Sequence, residues 1–176
     1  MKVALLSDTH VPDQSPALPP GLLERLRGVD MILHAGDLVG LPVLQSLQAV
    51  AETVAVRGNM DRPEVVDQLP NKQTRLLAGC PVGLIHGDRP PEIQRRYLRP
   101  RFDCDSPAAE VFYQYLEDEF PQAEVVVFGH FHLPVIKRWR GRLLVNPGPV
   151  ASRHGRRCFG MLEVGSAEPR AEIFEL

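Results

Sequence analysis

Residues 3–10 read Val-Ala-Leu-Leu-Ser-Asp-Thr-His, a short apolar run that is followed at once by polar residues. Such a run predicts a buried β-strand whose carboxyl end opens into a loop. Asp8 and His10 lie two residues apart in that loop, so in an extended chain their side chains would point to the same side. The loop after this strand is therefore the first candidate site.

The same pattern of an apolar strand followed by a polar loop recurs twice in the next part of the chain. Residues 31–33 lead to Asp37, and residues 53–56 lead to Asn59. Helical segments are predicted between these strands, at residues 18–27 and 43–50. Three consecutive strand and helix units are the signature of an α/β sheet.

The second half of the chain is predicted to add more strands and one long helix. Residues 82–85 lead to His86, and residues 125–128 lead to His130 and His132, which would also point to one side in an extended chain. The other predicted strands are 74–77, 135–139, 143–146, 158–163 and 171–174. A helix is predicted for residues 106–119, with Ser106 as its cap. Residues 88–106 are irregular, and so form either an ordered flap or a mobile insertion.

Five separate strand ends present side chains of types that bind metal ions, namely Asp8 and His10, Asp37, Asn59, His86, and His130 and His132. Carboxylate, amide and imidazole ligands without thiolates suit Mn²⁺, Fe²⁺, Ni²⁺ or Zn²⁺ better than Ca²⁺, and Mn²⁺ is our first choice. Two divalent cations against the two anionic ligands, Asp8 and Asp37, would leave a net charge of about plus two. Such a site attracts phosphate and turns a bridging water into hydroxide near neutral pH.

The order Asp-x-His, Gly-Asp, Gly-Asn, His and Gly-His-x-His resembles the calcineurin-like metallophosphoesterases, in particular their small bacterial and archaeal phosphodiesterase branch. The resemblance spans nearly the whole chain and is carried by Asp8-Thr9-His10, Gly36-Asp37-Leu38, Gly58-Asn59-Met60-Asp61, His86-Gly87, Gly129-His130-Phe131-His132 and Asn146-Pro147-Gly148. It implies a four-layer α/β/β/α sandwich, in which two mixed β-sheets are flanked by helices and metals lie at the carboxyl ends of the strands.

The resemblance also implies how the ligands divide between two metal ions. One ion would be held by Asp8, His10, Asp37 and His132. The other would be held by Asp37, Asn59, His86 and His130. Asp37 would bridge the two, because each of its two oxygens can reach one cation. We assign catalysis to Asp37, Asn59 and His86.

Two positions depart from the family pattern. Met60 stands where much of the family has a His that protonates the leaving group. No general acid is therefore assigned, and the enzyme would favour good leaving groups unless a metal-bound water or His34 supplies the proton. Asp88 stands where related chains often carry another His, and no role is assigned to it. His34 either orients the Asp37 loop or only packs there.

Several charged residues beside the motifs have both a structural and a functional interpretation. Asp61 is predicted to cap a following helix rather than to act in catalysis. Four arginines either clasp phosphate or are solvated, namely Arg57, Arg62, Arg89 and Arg153. A second group of arginines is predicted to belong to a solvated flap rather than to contact nucleic acid, namely Arg95, Arg96, Arg99 and Arg101. His154 is predicted to lie in a solvated loop rather than to contact the substrate.

The composition of the whole chain predicts one compact domain, residues 1–176, because 44% of the 176 residues are hydrophobic. The 20 basic and 22 acidic residues nearly balance, so the charge points neither to nucleic acid nor to a membrane. The three scattered cysteines predict reduced thiols. Because no apolar run is long enough for a signal peptide or a membrane span, we predict a cytoplasmic protein, and we leave homo-oligomerisation open.

The leading functional hypothesis is the metal-dependent hydrolysis of a phosphodiester by a hydroxide that bridges two divalent metals, with a small phosphate ester as substrate. A phosphomonoesterase with the same site is the second enzyme hypothesis. A third hypothesis is a non-catalytic protein-binding scaffold, since eukaryotic relatives in the retromer coat resemble this fold but have lost ligands. All seven ligand positions keep metal-binding types here, which favours an enzyme. A nuclease is disfavoured, because it would need a longer groove.

Overall fold

Ten β-strands in two sheets form the centre of the protein in the residues that the computed structural model describes, which are 1–98, 101–152, 155–165 and 168–176. The strands are β1 (Lys2–Leu6), β2 (Met31–His34), β3 (Thr53–Ala55), β4 (Lys72–Leu77), β5 (Cys80–Ile85), β6 (Val125–Val127), β7 (Val135–Trp139), β8 (Arg142–Asn146), β9 (Cys158–Glu163) and β10 (Arg170–Glu175). The helices are α1 (Leu22–Arg25), α2 (Leu41–Gln48), α3 (Pro63–Val66), α4 (Pro91–Gln94) and α5 (Ala109–Glu119). The strand orders are β10-β9-β1-β2-β3 and β4-β5-β6-β8-β7.

The two sheets pack face to face on a shared apolar core. Successive side chains of a strand point to opposite faces of its sheet. Val3 and Leu5 of β1 therefore share one buried cluster with Val82 and Leu84 of β5. The side chain of Leu6 lies on the other face of β1.

Helices cover the outer face of each sheet. Leu6 of β1 shares a buried cluster with Leu22 of α1 and Leu47 of α2. On the second sheet, Val126 of β6 shares a cluster with Phe112 of α5. Each sheet contains both parallel and antiparallel neighbours. The predicted four-layer α/β/β/α sandwich of two mixed sheets is confirmed.

Parallel strands bring the motif loops together at one edge of each sheet. In the first sheet Leu6 is paired with His34, and His34 is paired with Ala55, so the loops after β1, β2 and β3 leave side by side. In the second sheet β5 and β6 are parallel, and the Gly129 amide after β6 donates to the His86 carbonyl after β5 at 3.0 Å. The register of the sheets therefore decides which polar loops are neighbours.

Two predicted helices are shorter than the sequence analysis proposed. Gly21 has a left-handed backbone (φ 79°), which cannot continue a right-handed helix, so α1 begins at Leu22 instead of residue 18. Helix α5 begins at Ala109 instead of Ser106. The Ser106 hydroxyl nevertheless accepts a hydrogen bond from the Ala109 amide at 3.3 Å, which satisfies one free amide of the first turn.

The segment of residues 88–106, predicted to be irregular, contains α4 and is held to the second sheet by aromatic side chains. Tyr97 and Phe102 are buried in the cluster that contains Phe112. The Phe102 ring stacks on Phe131, with ring centroids 4.1 Å apart. Buried aromatic rings contribute large apolar areas, so these contacts fix the described part of the segment.

Two further whole-chain predictions concern membranes and cysteines. Among the helices of the described residues, none is long and apolar enough to cross a lipid bilayer. Cys80, Cys104 and Cys158 are free thiols. The absence of disulfides agrees with the size of the apolar core, which is large enough to stabilise a chain of this length.

Candidate metal centre

Four ligand-type side chains converge in the first of two neighbouring half-sites. His10 Nε2 lies 3.8 Å from Asp8 Oδ1 and 3.6 Å from Asp37 Oδ2. His132 Nε2 lies 3.1 Å from His10 Nε2 and 3.3 Å from Asp8 Oδ1. Atoms that bind one cation at about 2.0 to 2.2 Å are about 3 to 3.6 Å from each other. These four side chains have nearly that spacing, and we refer to them as half-site A.

The second half-site lies directly beside the first and shares Asp37 with it. His86 Nε2 lies 3.4 Å from Asp37 Oδ2 and 3.2 Å from Asn59 Oδ1. His130 Nδ1 lies 3.0 Å from Asn59 Oδ1. We refer to these four side chains as half-site B. The structure therefore brings all seven predicted ligand residues together, in the two groups that the family resemblance implies.

The carboxylate of Asp37 connects the two half-sites through a single oxygen. Its Oδ2 atom faces His10 in half-site A and His86 in half-site B. Its Oδ1 atom accepts a hydrogen bond from the Met60 amide at 2.8 Å. Oδ2 thus faces both half-sites, while Oδ1 faces the backbone of the Asn59 loop.

Five of the seven residues have left-handed backbones, namely Asp8 (φ 54°), His10 (φ 45°), Asp37 (φ 58°), His130 (φ 73°) and His132 (φ 52°). The prediction that the Asp8/His10 and His130/His132 pairs lie in extended chain is therefore wrong. Asp8 and His10 still face the same half-site, whereas His130 and His132 face different ones. Non-glycine residues in this region cost free energy, and such strain is concentrated at functional sites.

The atoms that face the centre of half-site B are carboxylate and amide oxygens and ring nitrogens, all of which have lone pairs for a cation. His86 Nδ1 donates to the Ala35 carbonyl at 2.7 Å, so Nε2 of the neutral ring is an acceptor. That nitrogen faces carboxylate and amide oxygens, which are acceptors too. Although burial disfavours a charged His86, its contact with Asp37 and the nearby Asp8 raises the His86 pKa to about 9. In the metal-free protein a proton on His86 Nε2 therefore lies between these acceptors, and a cation that replaces the proton fits the same lone pairs.

Asp8 provides a second test of whether a cation fits the site. Its carboxylate is fully buried, and Oδ2 accepts a hydrogen bond from the Ser7 hydroxyl at 2.5 Å. Oδ1 has His132 Nε2 at 3.3 Å but no well-aligned hydrogen bond. Burial alone would raise the Asp8 pKa, but His132, His86 and Ser7 hold it well below its usual value. A buried anionic oxygen without a hydrogen-bond donor is costly, so a cation in half-site A would stabilise it.

Asp61 connects the loops of the centre, and its prediction as a helix cap is wrong. Helix α3 has Arg62 at its cap position, without a side-chain cap hydrogen bond. The Asp61 carboxylate instead accepts three backbone amide hydrogens, from Gly58 at 2.7 Å, Val39 at 2.6 Å and Asp37 at 3.2 Å. Asp61 therefore holds the Asp37 loop and the Asn59 loop against each other.

His34 also acts on the backbone of the Asp37 loop. Its ring is fully buried, Nδ1 accepts the Gly36 amide hydrogen at 3.2 Å, and Nε2 lies 3.3 Å from the Thr9 hydroxyl. Burial lowers the His34 pKa to about 3, so the ring is neutral and Nε2 carries the hydrogen. Of the two predicted roles, these contacts support orientation of the Asp37 loop. They also leave His34 without a charged form that could donate a proton at neutral pH.

Two residues that the sequence analysis did not single out contact the centre. Ser7 donates to Asp8, as described above, and Gln94 Oε1 lies 2.7 Å from His130 Nε2. Ser7 is adjacent to a motif residue, so its proximity was foreseeable. Gln94 belongs to the 88–106 segment, where no motif signals a contact with the centre.

An open groove of about 570 Å³ begins at half-site A. Its described lining includes His10 and His132 from the half-site, together with Asp13, Met60 and Gln14. Met60 is 49% exposed there, and its thioether has no proton to donate. The groove therefore leads from half-site A towards solvent, with an apolar side chain on its described wall.

The arginines that were predicted either to clasp phosphate or to be solvated differ in their partners. Arg62 pairs with Asp13 at 2.8 Å, at the edge of the groove. The Arg89 guanidinium lies 3.9 Å from the centroid of the Tyr115 ring. These two side chains already bind other residues. Arg99, Arg153 and His154 lie outside the described residues.

Gly58 is tightly packed, and Gly58→Ala is expected to damage half-site B. A Cβ atom there would lie 2.3 Å from Asp37 Oδ1, 2.7 Å from the Asp37 amide nitrogen and 2.8 Å from His86 Cδ2. Overpacking of this kind costs about 1 to 3 kcal/mol, and here it displaces two ligand residues. We expect weaker Mn²⁺ binding in calorimetric titrations. Gly40→Ala is the control, because its Cβ would make only contacts of 3.5 Å or more, and equal effects would contradict the packing argument.

Carboxylate, amide and imidazole groups at the carboxyl ends of strands from two packed sheets are the arrangement of a metal-dependent phosphoesterase. Residues 1–167 match the family model described as the calcineurin-like phosphoesterase superfamily domain. The chain belongs to this metal-dependent family, and the resemblance seen in its motifs is confirmed.

Individual relatives agree with the family and with the fold. A probable metallophosphoesterase of Methanothermobacter thermautotrophicus is 34% identical over 174 residues, which cover 98% of this chain and 91% of the relative. Vps29 of Entamoeba histolytica, solved as a complex with Zn²⁺, has a TM-score of 0.74 at 21% identity and covers 99% of both chains. A structure described as a novel archaeal phosphodiesterase has a TM-score of 0.66 at 21% identity, over 99% of this chain and 100% of its own. The two solved structures share the fold of this protein.

Proposed function

We propose that the protein hydrolyses a small phosphodiester with two divalent metal ions, one in each half-site. The observation that supports this proposal most directly is the position of Asp37 Oδ2, which lies 3.6 Å from His10 Nε2 and 3.4 Å from His86 Nε2. One oxygen between two imidazole nitrogens can bind two neighbouring cations. When bound, such cations would polarise the phosphate and lower the pKa of a water molecule, so that hydroxide is available as the nucleophile near neutral pH. Mn²⁺ remains our first choice because of the mixed oxygen and nitrogen ligands.

The residues of the chain would hold the cations and orient the ester. Asp8, His10 and His132 would complete half-site A, while Asn59, His86 and His130 would complete half-site B. Asp37, Asn59 and His86 are the catalytic candidates, because they surround the position at which the two half-sites meet. With two anionic ligands, Asp8 and Asp37, the loaded centre keeps a net charge of about plus two and attracts phosphate.

The groove beside half-site A favours a diester over a monoester. Its described lining includes the carboxylate of Asp13, which is paired with Arg62 at the edge of the groove, and the exposed side chain of Met60. A diester carries a second ester group that can occupy this groove, and a monoester lacks that group. The thioether of Met60 offers an apolar contact for such an ester group.

The position of Met60 also bears on the leaving group. Neither Met60 nor the neutral, buried His34 can donate a proton to a departing alkoxide. The enzyme is therefore expected to favour substrates whose leaving group is stable as an anion, such as an aryl oxide.

The test is the hydrolysis of bis-p-nitrophenyl phosphate and p-nitrophenyl phosphate by metal-stripped protein to which Mn²⁺, Ni²⁺, Zn²⁺ or Mg²⁺ is restored. We expect metal-dependent turnover that is faster with the diester and that falls more than about a hundredfold in Asn59→Ala. Loss of a residue that only hydrogen-bonds to a metal ligand lowers activity by about 10-fold to 100-fold, and loss of a ligand itself should lower it further. Faster turnover of the monoester would instead support the phosphomonoesterase.

A second candidate function is a protein-binding scaffold, and the likeness of the fold to Vps29 of Entamoeba histolytica supports it. That likeness concerns the fold alone. The scaffold would be favoured over the enzyme if the folded protein turned over neither ester with any of the four metals.

A further inference from the structure

We propose that Gln94 is a positioning residue, which fixes the tautomer of His130 and so couples the 88–106 segment to cation binding in half-site B. This inference rests on the proposed two-metal function and deepens it. Gln94 is the last residue of α4, and its Oε1 atom lies 2.7 Å from His130 Nε2. Asn59 lies on the other side of the same ring, with its Oδ1 atom 3.0 Å from His130 Nδ1.

A second hydrogen bond sets the orientation of the Gln94 amide group. Gln94 Nε2 donates to the Arg89 carbonyl at 2.5 Å, so the amide oxygen faces His130. A carbonyl oxygen only accepts hydrogen bonds, and one faces each ring nitrogen of His130. The Gln94 oxygen is the nearer, at 2.7 Å against 3.0 Å for the Asn59 oxygen, which favours the proton on Nε2. The Nδ1 atom then has a free lone pair directed into half-site B, which is the state that a metal ion requires.

The 88–106 segment holds Gln94 in place from both sides. The backbone amide of Gln94 donates to the Pro90 carbonyl at 3.1 Å, and the backbone amide of Leu98 donates to the backbone carbonyl of Gln94 at 2.9 Å. On one side, the Arg89 guanidinium lies over the Tyr115 ring of α5. On the other side, Tyr97 is buried among the aromatic side chains of the second sheet. A displacement of this segment would therefore move the acceptor away from His130.

Half-site B should depend on Gln94, whereas half-site A should not. His132 and His10 face half-site A, and Gln94 has no described contact with either of them. Partners that orient a metal-binding His change metal affinity by about 10-fold to 100-fold. The proposal thus predicts a selective loss in one of two binding steps, which a general loss of stability would not produce.

The experiment compares Gln94→Met, Gln94→Glu and the exposed control Glu92→Gln by calorimetric titration of metal-stripped protein with Mn²⁺. Methionine has nearly the length of glutamine but no strong acceptor, so one binding step is expected to weaken about 10-fold to 100-fold while the other is unchanged. Glutamate keeps an acceptor beside His130, so Gln94→Glu is expected to retain both steps. Glu92→Gln changes the same short helix and is expected to bind as the unaltered protein does.

Long-range ¹H–¹⁵N spectra of the metal-free protein at pH 8 report the tautomer directly, with the His130 signals assigned by their loss in His130→Gln. We expect the proton on Nε2 in the unaltered protein and in Gln94→Glu, and a mixture of tautomers in Gln94→Met. The role of Gln94 is overturned if Gln94→Met changes neither the tautomer nor either Mn²⁺ step while Asn59→Ala weakens one step. If Asn59→Ala also leaves Mn²⁺ stoichiometry and affinity unchanged, the two-metal function fails and the proposal fails with it.

Discussion

Asp37→Ala is expected to abolish diester hydrolysis and to leave at most one bound Mn²⁺ per chain. Its Oδ2 atom faces both half-sites, and it supplies one of only two negative charges among the seven ligand residues. Loss of a residue that hydrogen-bonds to a metal ligand lowers activity by about 10-fold to 100-fold. Loss of a ligand that both metal ions share should therefore lower activity by more than about 100-fold. Turnover of bis-p-nitrophenyl phosphate and the Mn²⁺ stoichiometry after dialysis measure the two effects.

Asp37→Asn separates the loss of the ligand from damage to the loop. The asparagine oxygen can still accept the Met60 amide hydrogen, which Asp37 Oδ1 accepts at 2.8 Å, so the loop should keep its shape. The negative charge between the half-sites is nevertheless gone, and we expect nearly the same loss of activity. Asp67→Asn removes an exposed carboxylate and is the matched control. Full activity in Asp37→Asn would refute the shared role of Asp37.

Asp61→Ala is expected to lower the free energy of unfolding of the metal-free protein by about 2 to 3 kcal/mol, because it leaves three partly buried amide hydrogens without an acceptor. Two of the freed amides belong to Asp37 and Gly58, which flank the place where the half-sites meet. We therefore expect Mn²⁺ binding to weaken together with stability. Urea unfolding of the metal-stripped protein and Mn²⁺ titration measure these effects separately.

The control for this prediction is Glu64→Ala, which removes an exposed carboxylate from the neighbouring helix α3. A surface side chain of this kind changes stability by no more than about 0.5 kcal/mol. If the two variants lost equal stability, the three hydrogen bonds of Asp61 would contribute nothing specific. If Asp61→Ala lost stability but bound Mn²⁺ normally, the loops would hold their positions by other contacts.

The sequence predicted the strands, and which polar side chains lie together at their ends, for a physical reason. Buried parallel strands are continuous apolar runs, and polar residues mark their ends, so the run before Asp8 and the run before His130 can be recognised without any tertiary information. Side chains at the ends of parallel strands are brought together by the register alone. Thus Asp37 and Asn59, more than twenty positions apart, could be assigned to one site.

The sequence could not predict features that depend on backbone conformation or on contacts between distant loops. Left-handed backbones at Asp8 and His132 are set by the surrounding structure and oppose the usual preference of these residue types. Asp61 precedes Pro63-Glu64 in a pattern that is typical of a helix cap, yet amides from another loop compete for its carboxylate. Gln94 meets His130 through the packing of the described part of the 88–106 segment on the second sheet, which no local pattern signals.

The seven candidate ligand residues come from loops of both sheets, so metal binding at the proposed centre would link metal supply to the lifetime of the protein. Asp8, His10, Asp37 and Asn59 follow strands of the first sheet, whereas His86, His130 and His132 follow strands of the second. A cation in either half-site would thus act as a cross-link between the two halves of the sandwich. At a concentration one hundred times its dissociation constant, such a ligand adds about 2.7 kcal/mol to the free energy of unfolding. A cell that is depleted of the metal would then lose folded protein as well as activity, since proteolysis removes chains that open more often.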